Sequence, residues 1–421
     1  MYIKKIILTG WTCVLFTVSH AQFRTLNSAH GEGRTLTSVF SQNRFCGQLS
    51  AAYVGNLVNN YQNPASYGDA SLTSIEFGGL GLSGSYDYKD SSKSSGGVGL
   101  SHFTIMVPLS AGKSGLNLGY YQHASTNYGI QSLGSDSTFG GFSNHLAGSG
   151  NIYNFFAGVG VRMKKLKLGV NLTTQFGRND YLDDIVFPDS TTLPRLRKRD
   201  AITQLGLLYT LGAQYDVELS KTKQFVFGAY YTGTLLKNGS LEKTNQNIFY
   251  LSGAGYQYIN IQDTNYSIDL PFYSKLGVGM SFINNKSLLI GTEWTYENFS
   301  EFKDRFTGQY LQNAWHAHLG VEYKPYMNRN NDSRKYFNRV TYRLGGVFGK
   351  SELNYESSIN ELKFMGGVTL PILGRNVGYI TLGAEYATRG FGEAGKISDN
   401  IFSFHLIMTF ADKWFVRQKF D

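Results

Sequence analysis

A repeated alternation between apolar and other side chains most strongly constrains the fold of this chain of 421 residues. In the clearest run, 315–323, apolar residues occupy every second position, with His, Gly or Glu between them. The same alternation covers 205–217 and 402–410. A period of two is the side-chain repeat of a β-strand. Runs of about nine to eleven residues are long enough for a tilted strand to cross the hydrocarbon layer, so the pattern predicts membrane-crossing strands.

About fourteen such runs follow one another from Thr73 onward. We therefore predict an all-β fold, a transmembrane antiparallel β-barrel of about fourteen strands. Changes of phase at Gly78-Gly79 and near Ser101 predict bulges in the first two strands. The third run loses its alternation at His123, which predicts either a kink or the end of that strand. The predicted strands cover residues 73–85, 97–109, 115–121, 150–162, 166–176, 201–219, 224–235, 267–282, 287–297, 314–324, 338–348, 360–371, 378–387 and 401–410.

The connections between these runs alternate in length. Those after even-numbered strands are short, such as 163–165, whereas those after odd-numbered strands are long, such as 122–149 and 236–266. Only the connection 325–337 breaks this rule on the short side. Short periplasmic turns and long external loops are typical of outer-membrane barrels. An even strand number then places both ends of the barrel on the periplasmic side.

Composition excludes several other classes of protein. No apolar run is long enough for a transmembrane helix, and a lone cysteine beyond the first residues, Cys46, excludes a disulfide framework. The net charge of +9 is spread along the chain, so nucleic acid is not an expected partner. A soluble β-sandwich or propeller also alternates. The membrane barrel is favoured because the polar rows are rich in Gly and aromatic residues fall near strand ends.

The first residues have the pattern of a signal peptide. Lys4 and Lys5 precede a short apolar stretch, and Ser19-His20-Ala21 supplies the small residues that a cleavage site before Gln22 needs. This pattern predicts export, and together with the barrel it predicts the outer membrane of a Gram-negative bacterium.

The segment 22–72 precedes the first predicted strand and does not alternate. A fourteen-stranded barrel is wider than its own side chains can fill, so we expect this polar segment to form a hatch, or plug, in the lumen. It contains Asn63-Pro64-Ala65, in which Asn-Pro favours a turn. We therefore divide the chain into a signal peptide (1–21), a plug (22–72), a barrel (73–410) and a periplasmic C-terminal tail (411–421).

Charged and imidazole side chains on the predicted lumen-facing rows are the candidate ligand-contacting residues. Their two interpretations are pairing across strands with anchoring of the plug, or a site for an anionic headgroup. On the lipid face each charge would cost about 2–4 kcal/mol. The candidates are Arg162, Lys275, Glu293, His316, His318, Glu322, Arg339, Arg343, Lys363 and Glu385.

Neither metal binding nor catalysis is predicted. His316 and His318 share one strand face, but no third ligand is fixed by spacing, so no metal is expected. The sequence has no nucleophile elbow, Cys–His pair, phosphate-binding loop or paired-carboxylate motif. We expect a protein that is not an enzyme and that has no cofactor.

The two ends of the mature chain resemble the long-chain fatty-acid transporter (FadL-type) family, in particular its divergent branch in Bacteroidetes-type bacteria. The resemblance rests on Asn63-Pro64-Ala65-Ser66-Tyr67 before the first strand, on Gly383-Ala384-Glu385-Tyr386, and on Asp412-Lys413-Trp414-Phe415 after the last. The glycine-rich hatch signature of the family is poorly kept, and eleven residues follow Phe410 where the family ends on an aromatic residue.

The resemblance implies passive uptake of hydrophobic small molecules such as long-chain fatty acids by a monomeric barrel in outer-membrane lipid. In that family the ligand enters from outside and leaves sideways near a kinked third strand, after the hatch shifts. The alternative is a barrel that acts as a partner in a secretion or outer-membrane assembly complex. Its docking peptide would be the tail 411–421, which mixes Lys413, Arg417 and Lys419 with aromatic residues.

Overall fold

The computed structural model describes residues 25–30, 33–35, 39–55, 57–88, 91–188, 193–251, 255–271, 274–303, 308–327, 335–355, 357–372, 377–390 and 398–414. The predicted signal peptide, and the tail beyond residue 414, lie outside these residues. Among the described residues, no helix is long and apolar enough to span a membrane.

In the described part of the chain, sixteen strands make up the sheet. They are β1 (Arg34–Thr35), β2 (Thr73–Tyr88), β3 (Ser91–Ser110), β4 (Ser114–Asp136), β5 (Gly140–Met163), β6 (Leu166–Val186), β7 (Arg195–Glu218), β8 (Lys223–Leu251), β9 (Gly255–Asp269), β10 (Ser274–Asn284), β11 (Leu288–Asn298), β12 (Ala314–Tyr323), β13 (Thr341–Tyr355), β14 (Ser357–Ile372), β15 (Val377–Arg389) and β16 (Ser398–Asp412). The described residues also include five short 3-10 helices, at Leu26–Ala29, Gln42–Phe45, Pro64–Asp69, Pro325–Met327 and Tyr336–Arg339.

Fourteen of these strands close into an antiparallel barrel, which confirms the predicted fold. Each barrel strand pairs with the next along the chain, β8 pairs with β10, and β16 pairs with β2 to close the ring. β9 pairs with β8 and β1 pairs with β4, outside the ring itself. The predicted bulge is present, because the β2–β3 register shifts between Gly78 and Gly79 opposite Ser101.

The long connections were predicted as loops, and for the most part this prediction is wrong. β4 continues to Asp136 and β5 begins at Gly140, so most of 122–149 is a strand hairpin. The β6–β7 and β8–β9 hairpins replace the predicted loops 177–200 and 236–266 in the same way. Above the membrane both faces of a hairpin can be polar. Backbone pairing therefore continues there without the alternation that marks a strand in sequence.

The predicted eighth strand is also divided. Residues 267–282 were expected to form one strand, but β9 ends at Asp269 and β10 begins at Ser274. Pro271 lies in the break, where it has no backbone N–H to donate to a strand ladder. The barrel wall is consequently uneven: β8 has 29 residues, whereas β10, β11 and β12 have 11, 11 and 10.

Residues 39–55 and 57–70 of the N-terminal segment lie inside the barrel, and from here on the term plug refers to them and not to the whole predicted segment 22–72. Phe45, Cys46, Tyr53 and Tyr67 within it are almost completely inaccessible to solvent. Its backbone runs against lumen-facing glycines, since a Cβ at Gly345 would collide with the backbone of the plug. The glycine-rich polar rows of the sequence therefore make room for the plug.

Candidate functional site

The predicted turn Asn63-Pro64-Ala65 fixes the plug in the half of the lumen nearest the short turns. The Asn63 side chain accepts a hydrogen bond from the Ala65 N–H (3.2 Å) and begins the 3-10 helix Pro64–Asp69. Its amide nitrogen donates to the carbonyl oxygens of Ala51 (2.6 Å) and Ala213 (3.3 Å). One side chain thus joins two parts of the plug to the wall.

Arg162 belongs to a cluster of four charges at the same end. Together with Lys167 it contacts Asp69 of the plug and Asp216 of β7. The Lys167 Nζ lies 2.8 Å from Asp69 and 3.1 Å from Asp216. The two cations and two carboxylates neutralise one another, so Arg162 anchors the plug in this structure.

Glu322 and Arg343 form a second anchor. Their side chains are 2.6 Å apart and buried, and Lys324 lies 2.6 Å from the same carboxylate. The hydroxyl of Tyr53, in the plug, donates to Glu322, and Arg343 donates to Gln42 of the plug at 3.0 Å. Both predicted residues therefore contact the plug.

Three further candidates contact the plug directly. Glu293 accepts hydrogen bonds from the backbone N–H groups of Ser50 (2.6 Å) and Ala51 (2.7 Å). Glu385 pairs with Arg44 at 3.0 Å. The ring of His318 lies 2.9 Å from the carbonyl oxygen of Gly47. We call this region, in which lumen side chains contact 39–70, the plug half.

Above the plug, the lumen contains a cavity of about 160 Å³. Its floor is formed by plug residues, among them Arg44, Gln48 and Tyr61. Arg34 and Thr35 of β1 form part of its side. We call this region the cavity half.

Lys275, His316 and Lys363, the remaining lumen-strand candidates, line this cavity. Lys275 pairs with Glu297 at 3.0 Å. His316 and Lys363 both approach Glu361, at 2.9 Å and 3.2 Å. The ion pairs described here join wall residues to one another, whereas those of the plug half involve the plug; Glu385 and His318 of the plug half also border the cavity.

The roof of the cavity is formed by described residues of the connection between β11 and β12, and the side chains that line the cavity from there are apolar. Phe299, Phe302 and Leu311 line the cavity from this side, and Phe302 and Leu311 pack with Leu353 and Ile359. A hydrogen bond from the N–H of Gln312 to the carbonyl oxygen of Glu352 (3.0 Å) joins this connection to β13. The cavity therefore has ionic groups on its wall and aromatic and aliphatic groups at its roof.

Beside the cavity, β3 and β4 pair over only part of their length. These strands pair only from Ser110↔Ser114 to His102↔Tyr121. Beyond that point β4 pairs with β1 instead, and its register with β5 shifts at His123. The predicted break at His123 is thus a bulge in a strand that continues, not the end of the strand.

Other charged residues of the site were absent from the prediction, and one predicted residue was placed wrongly. Arg339 lies in the 3-10 helix Tyr336–Arg339, because strand β13 begins at Thr341 and not at residue 338. Glu361 is buried and accepts a hydrogen bond from Arg389 at 2.7 Å. Its inward position could have been found from Lys363, which lies two residues along the same strand.

Two more groups were missed. Glu76 on β2 is buried, with His102 at 3.0 Å and the hydroxyl of Ser41 at 3.1 Å. The basic run 195–199 of β7 lies above the apolar rows, where Arg197 and Asp184 are 2.9 Å apart. Within the described residues, no group of three or more His, Cys, Asp or Glu side chains could hold a metal ion.

The closed ring of fourteen strands and its N-terminal plug define a transmembrane β-barrel with the FadL-type fold. The chain belongs to the BamG family, whose model matches residues 2–421. No curated protein matches the chain in sequence.

Solved structures share the fold at low sequence identity. The monoaromatic hydrocarbon channel CymD aligns with a TM-score of 0.58 at 12% identity, over 90% of this chain and 98% of its own. The toluene transporter TodX of Pseudomonas putida gives 0.58 at 15% identity, over 88% and 97%. A FadL homologue of Pseudomonas aeruginosa gives 0.51 at 9% identity, over 90% and 98%.

Proposed function

We propose that this chain is a channel in the outer membrane of a Gram-negative bacterium, for passive uptake of hydrophobic small molecules such as long-chain fatty acids. It would act as a monomer in outer-membrane lipid, without catalysis, and would represent the divergent Bacteroidetes-like branch of the FadL-type fold. The observation that carries the proposal is the cavity, whose two ends differ in polarity.

A long-chain fatty acid, like the cavity, has an apolar part and an ionic part. Its alkyl chain would lie against the roof residues Phe299, Phe302 and Leu311, where burial of apolar area is favourable. Its carboxylate would lie toward the wall cations Lys275 and Lys363. Ligand pockets commonly combine a large apolar lining with a few placed polar groups.

Exit would be sideways, at the place where the β3–β4 ladder ends. The cavity lining includes Thr35 of β1 and Ala124 of β4, which pair with each other there. Within the described residues β1 pairs with β4 through Arg34 and Thr35 alone, so displacing this described part would break fewer hydrogen bonds than opening a longer strand pair. Movement of the N-terminal segment would thus connect the cavity with the membrane.

A cavity-filling substitution tests this proposal. Ala387 lines the cavity, whereas Ala384, on the same strand, lies on the opposite face. In cells producing the full chain, Ala387→Trp should reduce saturable uptake of radiolabelled oleate to background. Ala384→Trp should leave it unchanged. Equal uptake by both variants, at equal barrel levels, would contradict a route through the cavity.

The second candidate is a barrel that serves as a partner in a secretion or outer-membrane assembly complex. It is favoured by the plug half, where buried pairs such as Arg343–Glu322 hold the plug in place. A fixed plug suits a protein whose role is to present surfaces. Removing the chain from cells separates the candidates. Loss of oleate uptake with normal outer-membrane protein levels supports the channel, and the reverse supports the partner.

A further inference from the structure

The hairpin β8–β9 ends in a strand edge that has no neighbour among the described residues. β9 pairs with β8 along its whole length, from Asn238↔Asp269 to Leu251↔Gly255. In the described part of the chain nothing pairs with its other edge. Next to β9 along the barrel are β10, β11 and β12, which are much shorter than β8, and β11 ends at Asn298. Among the described residues, no strand lies beside the second edge of β9.

The lower part of this edge, 262–269, lacks the usual protection of an edge strand. Long edges are normally shielded by lysine, proline, a bulge or a covering segment. Residues 262–269 contain no lysine or proline, and they pair with β8 without a register shift. All of these side chains except Ile268 are exposed, including Tyr266 at 43%. We call 262–269 the β9 edge.

The two faces of the β9 edge differ in chemistry. Alternate residues share a face. One face carries Asp263 and Asp269, and no residue of 262–269 is basic. The other face carries Tyr266 and Ile268. A complementary strand would therefore place Lys or Arg beside the aspartates and apolar side chains beside Tyr266, because such cross-strand pairs stabilise a sheet.

We propose that the β9 edge is a docking site for an extended segment of a different polypeptide, which adds to the sheet as a strand. Strand addition uses main-chain hydrogen bonds for affinity and alternate side chains for specificity. The segment would be basic on one face and apolar on the other. A second copy of this chain fits poorly, since it would bring one acidic row beside an identical one, and like charges in opposed positions are unfavourable.

Site-specific photo-cross-linking in intact cells tests the proposal on the full chain. A photoreactive amino acid would replace Asn265 or Tyr266, one on each face of the β9 edge. The matched control is Lys198, an exposed residue on β7 whose strand has partners on both sides. We expect both β9 positions, but not the control, to give an adduct with the same second polypeptide. Mapped by mass spectrometry, the two attachment points should lie on neighbouring residues of one segment that alternates basic and apolar residues.

Charge reversal tests the complementarity. Asp263→Lys combined with Asp269→Lys should lower the adduct yield at Tyr266 about tenfold, because two attractive cross-strand pairs become repulsive. Asp136→Lys, at the exposed tip of β4, should not lower it. Uptake of oleate should be the same in both variants, since none of the three positions lines the cavity.

Several results would overturn the proposal. One is an adduct with the mass of two copies of this chain. Others are attachment points scattered over a folded surface, the absence of any adduct from both β9 positions, and a yield that does not respond to charge reversal.

Discussion

The two halves of the lumen use the same kinds of side chains for different purposes. In the plug half, Glu322 and Arg343 contact each other and the plug, and both are buried. In the cavity half, Lys275 and Glu297 also form a pair, but they line open space. An inward charge is therefore structural where the plug covers it and available to a ligand where the plug is absent. Position relative to the plug, not residue type, decides between the two roles.

The largest expected difference between the halves follows removal of one cation from each. Arg343→Ala leaves the Glu322 carboxylate buried with Lys324 as its remaining ion-pair partner in the described structure. Breaking a buried pair in this way typically costs about 3–5 kcal/mol. Lys275→Ala should cost less, about 1–2 kcal/mol, because Lys275 and Glu297 line the cavity and are more exposed than Glu322 and Arg343.

The measurement is urea unfolding of the purified barrel in detergent, followed by the heat-modifiable shift in gel mobility. Glu322→Gln with Arg343→Met, which removes both charges, should recover most of the stability lost in Arg343→Ala. If the two single variants unfold at the same urea concentration, the two halves do not differ in the way described.

Substitutions at two adjacent glycines of β13 test the same comparison, with a smaller expected loss of stability. A Cβ at Gly345 would run into the backbone of Gly47, whereas at Gly346 its nearest neighbour is the carbonyl oxygen of Lys363 at 3.5 Å. Gly345→Ala should therefore destabilise the barrel by about 1–3 kcal/mol through overpacking, and Gly346→Ala should have little effect. The same unfolding assay reports both. Equal stability of the two variants would mean that the plug does not rest on this strand.

The strand order of the barrel could be predicted from the sequence, but the division of its lumen could not. Alternation shows which side chains face inward, as with Glu322 and His318, because the period of a strand is local. It cannot show that one inward residue meets the plug and another meets a cavity, since the plug has no repeating pattern. For the same reason Gly345 and Gly346 look alike in the sequence. Only contact with Gly47 separates them.

The hairpins above the membrane were missed for a related reason. The tips of β4 and β8 have exposed or half-buried residues on both faces, so no apolar row marks them in the sequence. Their pairing depends on backbone hydrogen bonds between neighbouring strands, which every residue type can accept and every type except proline can donate. For the same reason, the sequence did not predict strand β9 or its edge.

The smallest expected effect concerns Cys46, which sits in the plug half with no measurable exposure. Burial raises the pKa of its thiol, so at pH 8 the reactive thiolate is scarcely populated and reagents cannot reach it. The folded barrel should therefore react with a small maleimide far more slowly than the urea-unfolded chain. Thr232→Cys, in a chain whose Cys46 is replaced by serine, places a thiol on the cavity lining and should react readily in the folded state. Mass spectrometry after a timed quench measures both. Rapid labelling of Cys46 in a folded barrel would show that the plug half opens to solvent. The two halves would then differ only in how often they open, and not in whether the plug closes one of them.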